Sequence, residues 1–427
     1  MSSRPISSVR EVLESIAGSV KTTVEDPTGV TGAQATDTKP KAQKDVRAAA
    51  EDGTLAAKLK DPTFLKETND WLKAADPKDP AQRADMVKVL KALDRSNDAA
   101  RKKVFELTFD SKIDSSTTRK YVPRMTGKKP NQTQAKNSDG SPAYNEIFDK
   151  AAALDPAALD AMTDVMAQLP TRHMPKRWNF TGQDADDNTR GSYDDRSDGA
   201  DLAFSLKDSA KGFAQEYASN CLPGDPLAKA KAFDVIIRHE CGHKASTEGD
   251  FEGLTKSAGG GKWVEHGTIE DVLKALAPLY DKLVEKAQDK GIPAEPAIRA
   301  AILDPDNGYD AAKIAAALKI QDATRLDHPL LQMLGQGGVK GYQCGSTPVA
   351  IEGRMYIVGG PDARWFSFEK SAWDKRVSLY QYATPNEWFA EFYATANNGD
   401  AKLREEAKKR YPDAWKWLND RNCIVVG

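Results

Sequence analysis

The stretch Phe233-Asp234-Val235-Ile236-Ile237-Arg238-His239-Glu240-Cys241-Gly242-His243 ends in the pattern His-Glu-x-x-His. It falls inside a helix that the sequence predicts from Asp225-Pro226 to about Ser246. Helical periodicity places His239 and His243 one turn apart on one face, where they can share a metal ion. Glu240 follows the first histidine and can polarise a water and carry its proton. Phe233, Ile236 and Ile237 precede the motif on a face suited to burial. The chain holds only 5 His among 427 residues. By chance such a pattern is expected on the order of a few times in a thousand chains of this kind. Cys241 points away from Glu240 round the helix and reads as a core residue. Gly242 suits close approach of a second helix.

A catalytic zinc site takes a third protein ligand and leaves the fourth position to water. The sequence offers Glu265 or His266, then His328, then Glu387. Glu387 and Glu391 are spaced i, i+4 on a helix predicted from Pro385 to Asn397, so both face one way. That spacing suits one carboxylate on the metal and one behind it, bonded to a ligand histidine. The metzincin extension needs a glycine three residues past His243 and a histidine three further on. Ser246 and Gly249 stand there, which excludes that subclass.

The second element reads Val377-Ser378-Leu379-Tyr380-Gln381-Tyr382-Ala383-Thr384-Pro385-Asn386-Glu387-Trp388-Phe389-Ala390-Glu391. Together with His-Glu-x-x-His and the Gly191–Asp195 segment ahead of it, this resembles the gluzincin zinc metallopeptidases. Within them the likeness is to the anthrax lethal factor group of bacterial toxin and effector peptidases. The resemblance covers roughly residues 190–265 and 340–400. It implies a zincin-like fold and one zinc ion held by His239, His243 and Glu387. It further implies Glu240 as general base, Glu391 behind the ligands, and Tyr380 as the residue that stabilises the oxyanion. Tyr382, two residues on, is the alternative. The separation of His243 from Glu387 is longer than in lethal factor, and residues 268–336 read as a helical insertion.

The rest of the chain frames this site. Lys plus Arg number 61 and Asp plus Glu 63, a net charge of −2. That balance excludes binding to nucleic acid through phosphate neutralisation. No apolar run approaches the roughly 18 residues of a membrane helix. The first 20 residues carry Glu11 and Glu14 and lack an apolar core, so they do not read as a secretory signal. The expectation is a protein made in the cytoplasm, with export, if any, through a specialised secretion system. The four cysteines, Cys221, Cys241, Cys344 and Cys423, form no CxxC pair and read as reduced thiols.

Residues 1–53 read as a flexible segment. It carries a short amphipathic helix at 8–20, able to meet a secretion-apparatus partner, and a polar linker at 24–45. Residues 54–170 read as a helical domain, with Asp61-Pro62, Asp79-Pro80 and Asp155-Pro156 each opening a helix. Residues 171–427 read as the metallopeptidase domain. It holds an edge strand at 200–206, a hairpin at 350–370, and a last helix over about 400–418. The fold class expected is α+β, mostly helical, with a small sheet.

Three functions are compatible with these readings. The first is a zinc peptidase of effector or toxin type acting on protein or peptide substrates. The second is an amidase or endopeptidase acting on cell-wall peptides. The third is a non-catalytic structural or binding component of a secretion or injection particle. Glu240 argues against the third, since a structural zinc needs no general base.

Overall fold

The structure, a computed structural model, describes residues 38–116, 156–181, 191–195, 197–203, 215–247, 251–257, 259–268, 348–351, 353–359 and 364–424. It also describes short strands between 119 and 148 and isolated positions between 271 and 316. The helix expected at 8–20, nearly all of the expected insertion at 268–336, His328 and Cys344 lie outside the described residues.

The chain mixes helices with small sheets, in agreement with an α+β class. Helix α1 (Thr38–Glu51) begins inside the stretch expected as linker. Ala42, Val46 and Ala49 recur on one face and are buried, and Gln43 and Arg47 bond Asp85. Three small apolar residues and two polar anchors are enough to dock it, although no large side chain announces it. After α2 (Leu55–Lys58) come α3 (Pro62–Ala74) and α4 (Pro80–Ala92). Asp61 accepts the amides of Thr63 and Phe64, and Asp79 accepts those of Ala81 and Gln82. Both caps are as the Asp-Pro pairs predict. Helix α5 (Asp98–Phe109) ends at Asp110, whose φ of 52° reverses the chain into strand β1 (Lys112–Ser116).

Two small ribbons follow: β2 (Arg119–Pro123) pairs with β5 (Tyr144–Phe148), and β3 (Met125–Thr126) pairs with β4 (Thr133–Gln134). Helix α6 (Pro156–Met166) buries Leu159, Met162 and Met166. Then β6 (Arg177–Thr181), β7 (Gly191–Asp194) and β8 (Gly199–Ala203) join β1 in a four-stranded sheet of order β1-β6-β8-β7. Strands β1, β6 and β8 run parallel, and β7 is antiparallel to β8. In β8, Ala200 and Leu202 are buried while Asp201 is half-buried, the alternation expected. The expectation that this strand forms the edge is corrected: β6 and β7 cover its two sides, and the edges are β1 and β7.

The helix expected from Pro226 to Ser246 is broken. Pro226–Lys229 forms a single 3-10 turn, and α7 proper is Ala232–Ser246. Between them the chain is extended because it pairs with residues 215–217. Tyr217 N–H bonds the Ala230 carbonyl, and Ala232 N–H bonds that of Gln215. A local sequence reading cannot see such a partner. Phe233 of α7 stacks on Phe180 of β6 at 6.2 Å, which seats the helix on the sheet.

Helix α8 (Phe251–Lys256) leads to a second, antiparallel sheet. Its members are β9 (Val264–Gly267), β10 (Val349–Ile351), β11 (Arg354–Gly359) and β12 (Arg364–Glu369), in the order β10-β11-β12-β9. The expected hairpin is β11–β12, paired from Arg354↔Glu369 to Gly359↔Arg364. After α9 (Lys370–Trp373) comes α10 (Pro385–Ala396). The single last helix expected over 400–418 is two, α11 (Ala401–Arg410) and α12 (Pro412–Asp420). Pro412 brings no amide hydrogen and forces Tyr411 out of the helical region, to φ −130° and ψ 64°. Buried residues from Ala42 to Cys423 form one continuous core. Cys221, Cys241 and Cys423 form no disulfide among the described residues. Among the described residues no helix is long and apolar enough to cross a membrane.

The core contains His173, fully buried, with Nδ1 2.8 Å from the Tyr393 hydroxyl and Nε2 3.7 Å from Cys423 Sγ. Burial, then the charges of Arg172 and Lys244, push its pKa down to about 3. The unfolded imidazole titrates near 6.5, so below that pH the unfolded chain takes up a proton that the fold refuses. Stability is therefore intact above pH 6.5. It falls below that pH by about 1.4 kcal/mol per pH unit from this group. Denaturant titrations at pH 7 and pH 4.5 will show a shallower loss for His173→Gln than for wild type. Parallel losses would remove His173 from the account.

Candidate metal centre

Helix α7 presents His239 and His243 on one face, their ring centroids 4.6 Å apart. Its other faces are buried through Phe233, Ile237, Cys241 and Ala245, so Cys241 is core as its position implies. Helix α10 supplies the third group. Thr384 caps it, its hydroxyl accepting the Glu387 amide at 3.3 Å, with Pro385 in the first turn. That cap fixes Glu387 at the helix start, beside the histidines.

What lets Glu387 reach them is Gly242. A Cβ there would lie 2.8 Å from Ala390 Cα and 3.2 Å from the Ala390 carbonyl oxygen. The two helices thus touch backbone to backbone, as the sequence predicts for this glycine. Glu387 Oε2 lies 2.9 Å from His239 Nε2 and 3.4 Å from His243 Nε2. One ligand atom from each of the three lies within 4.8 Å of the others, and the group could hold a metal ion. Burial opposes charge on His239, but its bonds to Glu387 and Glu391 prevail and raise its pKa well above the ordinary value. Burial would raise Glu387, yet His243 and His239 hold it well below the carboxylate range. Two nitrogens and an oxygen that converge this closely draw in a positive charge, either a proton or a metal ion.

Glu391 lies one turn behind Glu387 and is fully buried. Its Oε1 accepts from His239 Nδ1 at 2.8 Å, which turns Nε2 towards the ligand cluster. Glu240 is buried next to the histidines, and burial pushes its pKa up. Its Oε2 is buried and has no hydrogen-bond partner among the described residues. Its other oxygen meets the edge strand: a Cβ on Gly191 would stand 2.4 Å from Glu240 Oε1 and 2.7 Å from Ile236 Cγ2.

The two tyrosines left open by the sequence separate cleanly. The Tyr380 ring centroid is 5.7 Å from that of His239, and its hydroxyl bonds Glu387. Tyr382 is core: its hydroxyl is 3.1 Å from that of Tyr411, and its ring packs on Trp263, Phe368 and Trp373. Of the alternative ligands, Glu265 and His266 are engaged elsewhere. Glu265 pairs with Arg364 at 2.6 Å, and His266 Nε2 lies 2.8 Å from Ser367 Oγ in the second sheet. Two residues of the site are invisible to sequence reasoning. Tyr217 and Ser378 both donate to Glu391, at 2.8 and 2.7 Å. Ser378 stands inside the quoted stretch but has no chemistry until the fold places it. Tyr217 belongs to no motif at all.

The contact at Gly242 has a measurable consequence. Gly242→Ala will lower stability by about 1–3 kcal/mol, the cost of overpacking, read from urea unfolding. It will also weaken metal uptake, because α10 must move off α7. Gly191→Ala will leave metal uptake intact and displace the Glu240 carboxylate and the Ile236 side chain, neither of them among the three ligand groups. Equal metal loss in both variants would contradict this division. No protein-family model, curated protein or solved structure matches this chain.

Proposed function

We propose that this chain is a zinc-dependent peptidase of the zincin-like, gluzincin type, acting on protein or peptide substrates as a bacterial effector or toxin. The observation that carries the reading is the buried carboxylate of Glu240, one oxygen of which has no partner among the described residues, beside the His239, His243, Glu387 cluster. A purely structural metal site has no use for that group. Two imidazoles and one carboxylate, with no thiolate among them, suit zinc in a catalytic setting. The effector or toxin assignment follows the resemblance of the two motifs.

A bound zinc ion supplies Lewis acidity, bringing water within reach of deprotonation near neutral pH. The protein's residues do the rest. Glu240 accepts the proton of the attacking water through its unpaired oxygen and returns it to the leaving amine. Tyr380 turns its hydroxyl towards the oxygen of the scissile carbonyl and shares the charge that develops there. Glu391 keeps His239 in one tautomer and one orientation. The low exposure of the cluster keeps competing water out and strengthens each of these contacts.

Elemental analysis of wild type, His239→Ala and Glu387→Ala is the test. The expected result is about one zinc per chain in wild type and little in either variant. Glu240→Gln is expected to keep its zinc and lose at least about 100-fold in kcat on a peptide library. Zinc retained by Glu387→Ala would move the third ligand to another residue. No zinc in wild type after reconstitution would overturn the metal reading, and full activity in Glu240→Gln would overturn the role of the base.

A further inference from the structure

Glu391 has three hydrogen-bond donors on its two oxygens. Oε1 receives His239 Nδ1–H and the Tyr217 hydroxyl, each at 2.8 Å, and Oε2 receives the Ser378 hydroxyl at 2.7 Å. The four side chains are all buried. An ionised carboxylate can only accept, and the Ser378 hydroxyl has a second bond that agrees with this. Ser378 Oγ already accepts the Gln381 amide at 3.0 Å, so its own hydrogen is committed to Glu391. Gln381 is itself held, its Oε1 accepting the Val377 amide at 2.8 Å.

The two hydroxyls come from distant parts of the chain and are tied to one another. The Leu379 amide bonds the Asn220 carbonyl at 2.9 Å, and the Leu227 amide bonds the Val377 carbonyl at 3.1 Å. Residues 217–227 and 377–379 thus form a cross-linked girdle. Tyr217 is fixed in it by its own amide on Ala230, at the entry to α7. A girdle that places two hydroxyls on one carboxylate leaves Glu391 purely an acceptor. It also denies the carboxylate any rotation away from His239.

We propose that Tyr217 and Ser378 are positioning residues for the metal centre: by immobilising Glu391 they fix His239 with its Nε2 lone pair facing His243 and Glu387. The inference rests on the metal reading above. It assigns a role to two residues that touch neither the ligand cluster's metal-facing atoms nor the substrate. Losing one partner of an oriented ligand typically weakens metal affinity 10- to 100-fold. Tyr217 and Ser378 act one bond further out, so the expected loss is about 10-fold for each single variant and more for both together.

The test measures zinc affinity by competition with a chelator of known strength, on the full chain. The proteins are wild type, Tyr217→Phe, Ser378→Ala, Ser378→Thr and the double variant Tyr217→Phe/Ser378→Ala. Thermal unfolding of each metal-free protein is followed in parallel. The expected result is a roughly 10-fold rise in Kd for zinc in Tyr217→Phe and in Ser378→Ala. Ser378→Thr should recover most of the affinity, because it keeps the hydroxyl. The ligand-field spectrum of the cobalt-substituted protein should shift in the same variants, reporting a changed His239 orientation. Unchanged affinity and spectrum in folded Tyr217→Phe and Ser378→Ala would overturn the proposal, even if both unfold at lower temperature. Such a pattern would mean a merely structural role. Wild type that takes up no zinc overturns the metal reading and this inference with it. Wild type that binds zinc no better than its variants overturns this inference alone.

Discussion

The backbone contact between α7 and α10 at Gly242 is the constraint on which the site depends. Side chains on adjacent helices ordinarily keep the axes about 8–10 Å apart. Here the missing Cβ lets Ala390 Cα settle against α7. Only at that separation can a glutamate as short as Glu387 bring Oε2 to within 2.9 Å of His239 Nε2. The same contact brings Glu391, one turn on, against the back of the same imidazole. One glycine therefore sets two distances on opposite sides of one ring. The far end of the contact is pinned as well. Arg238, buried, donates to the Asn397 carbonyl at 2.6 Å and to Gln168 Oε1 at 2.9 Å. A guanidinium at the last turn of α10 also suits the negative end of that helix.

Burying the group has an electrostatic cost that explains its surroundings. Glu240, Glu387 and Glu391 place three carboxylates around two imidazoles in a region largely closed to water. Unpaired, such charges are costly to bury. The protein offsets part of that cost with hydroxyl donors: Tyr217 and Ser378 on Glu391, and Tyr380 on Glu387. It leaves Glu240 with one oxygen unsatisfied. The pattern is selective: Glu391, behind the histidines, is saturated, and Glu240, beside them, is not. A dication between the two histidines and Glu387 would balance much of the remaining negative charge.

What was legible in the sequence was local. His-Glu-x-x-His, the i, i+4 glutamates and the caps at Asp61 and Asp79 each depend on residues within one helical turn, and each lies where the pattern puts it. The hairpin of β11 and β12 is also local, and it formed as read. The errors are those where a distant segment decides. Residues 230–231 leave the helix because residues 215–217 pair with them. Helix α1 forms in a polar stretch because Asp85, some forty residues away, receives Arg47 and Gln43. Strand β8 is interior because β6 reaches it from the other side. Pro412 is the exception: it is a local signal, and it divides the helix expected over 400–418 into α11 and α12.

The choice between Tyr380 and Tyr382 shows why residue type and spacing alone could not finish the site. Both are tyrosines two residues apart in a one-turn 3-10 helix, Tyr380–Tyr382. In three residues per turn their side chains point about 120° apart, so one must leave the site if the other enters it. Which one enters is settled by the aromatic cluster of Trp263, Phe368 and Trp373, which offers Tyr382 a dry slot with the Tyr411 hydroxyl at its end. A phenol with its hydroxyl satisfied inside a core has little to gain by turning out. Tyr380 then faces the histidines by default, held there by packing on the opposite side of its own turn. The hydroxyl that meets Glu387 is thus positioned by a hydrophobic cluster that never touches it.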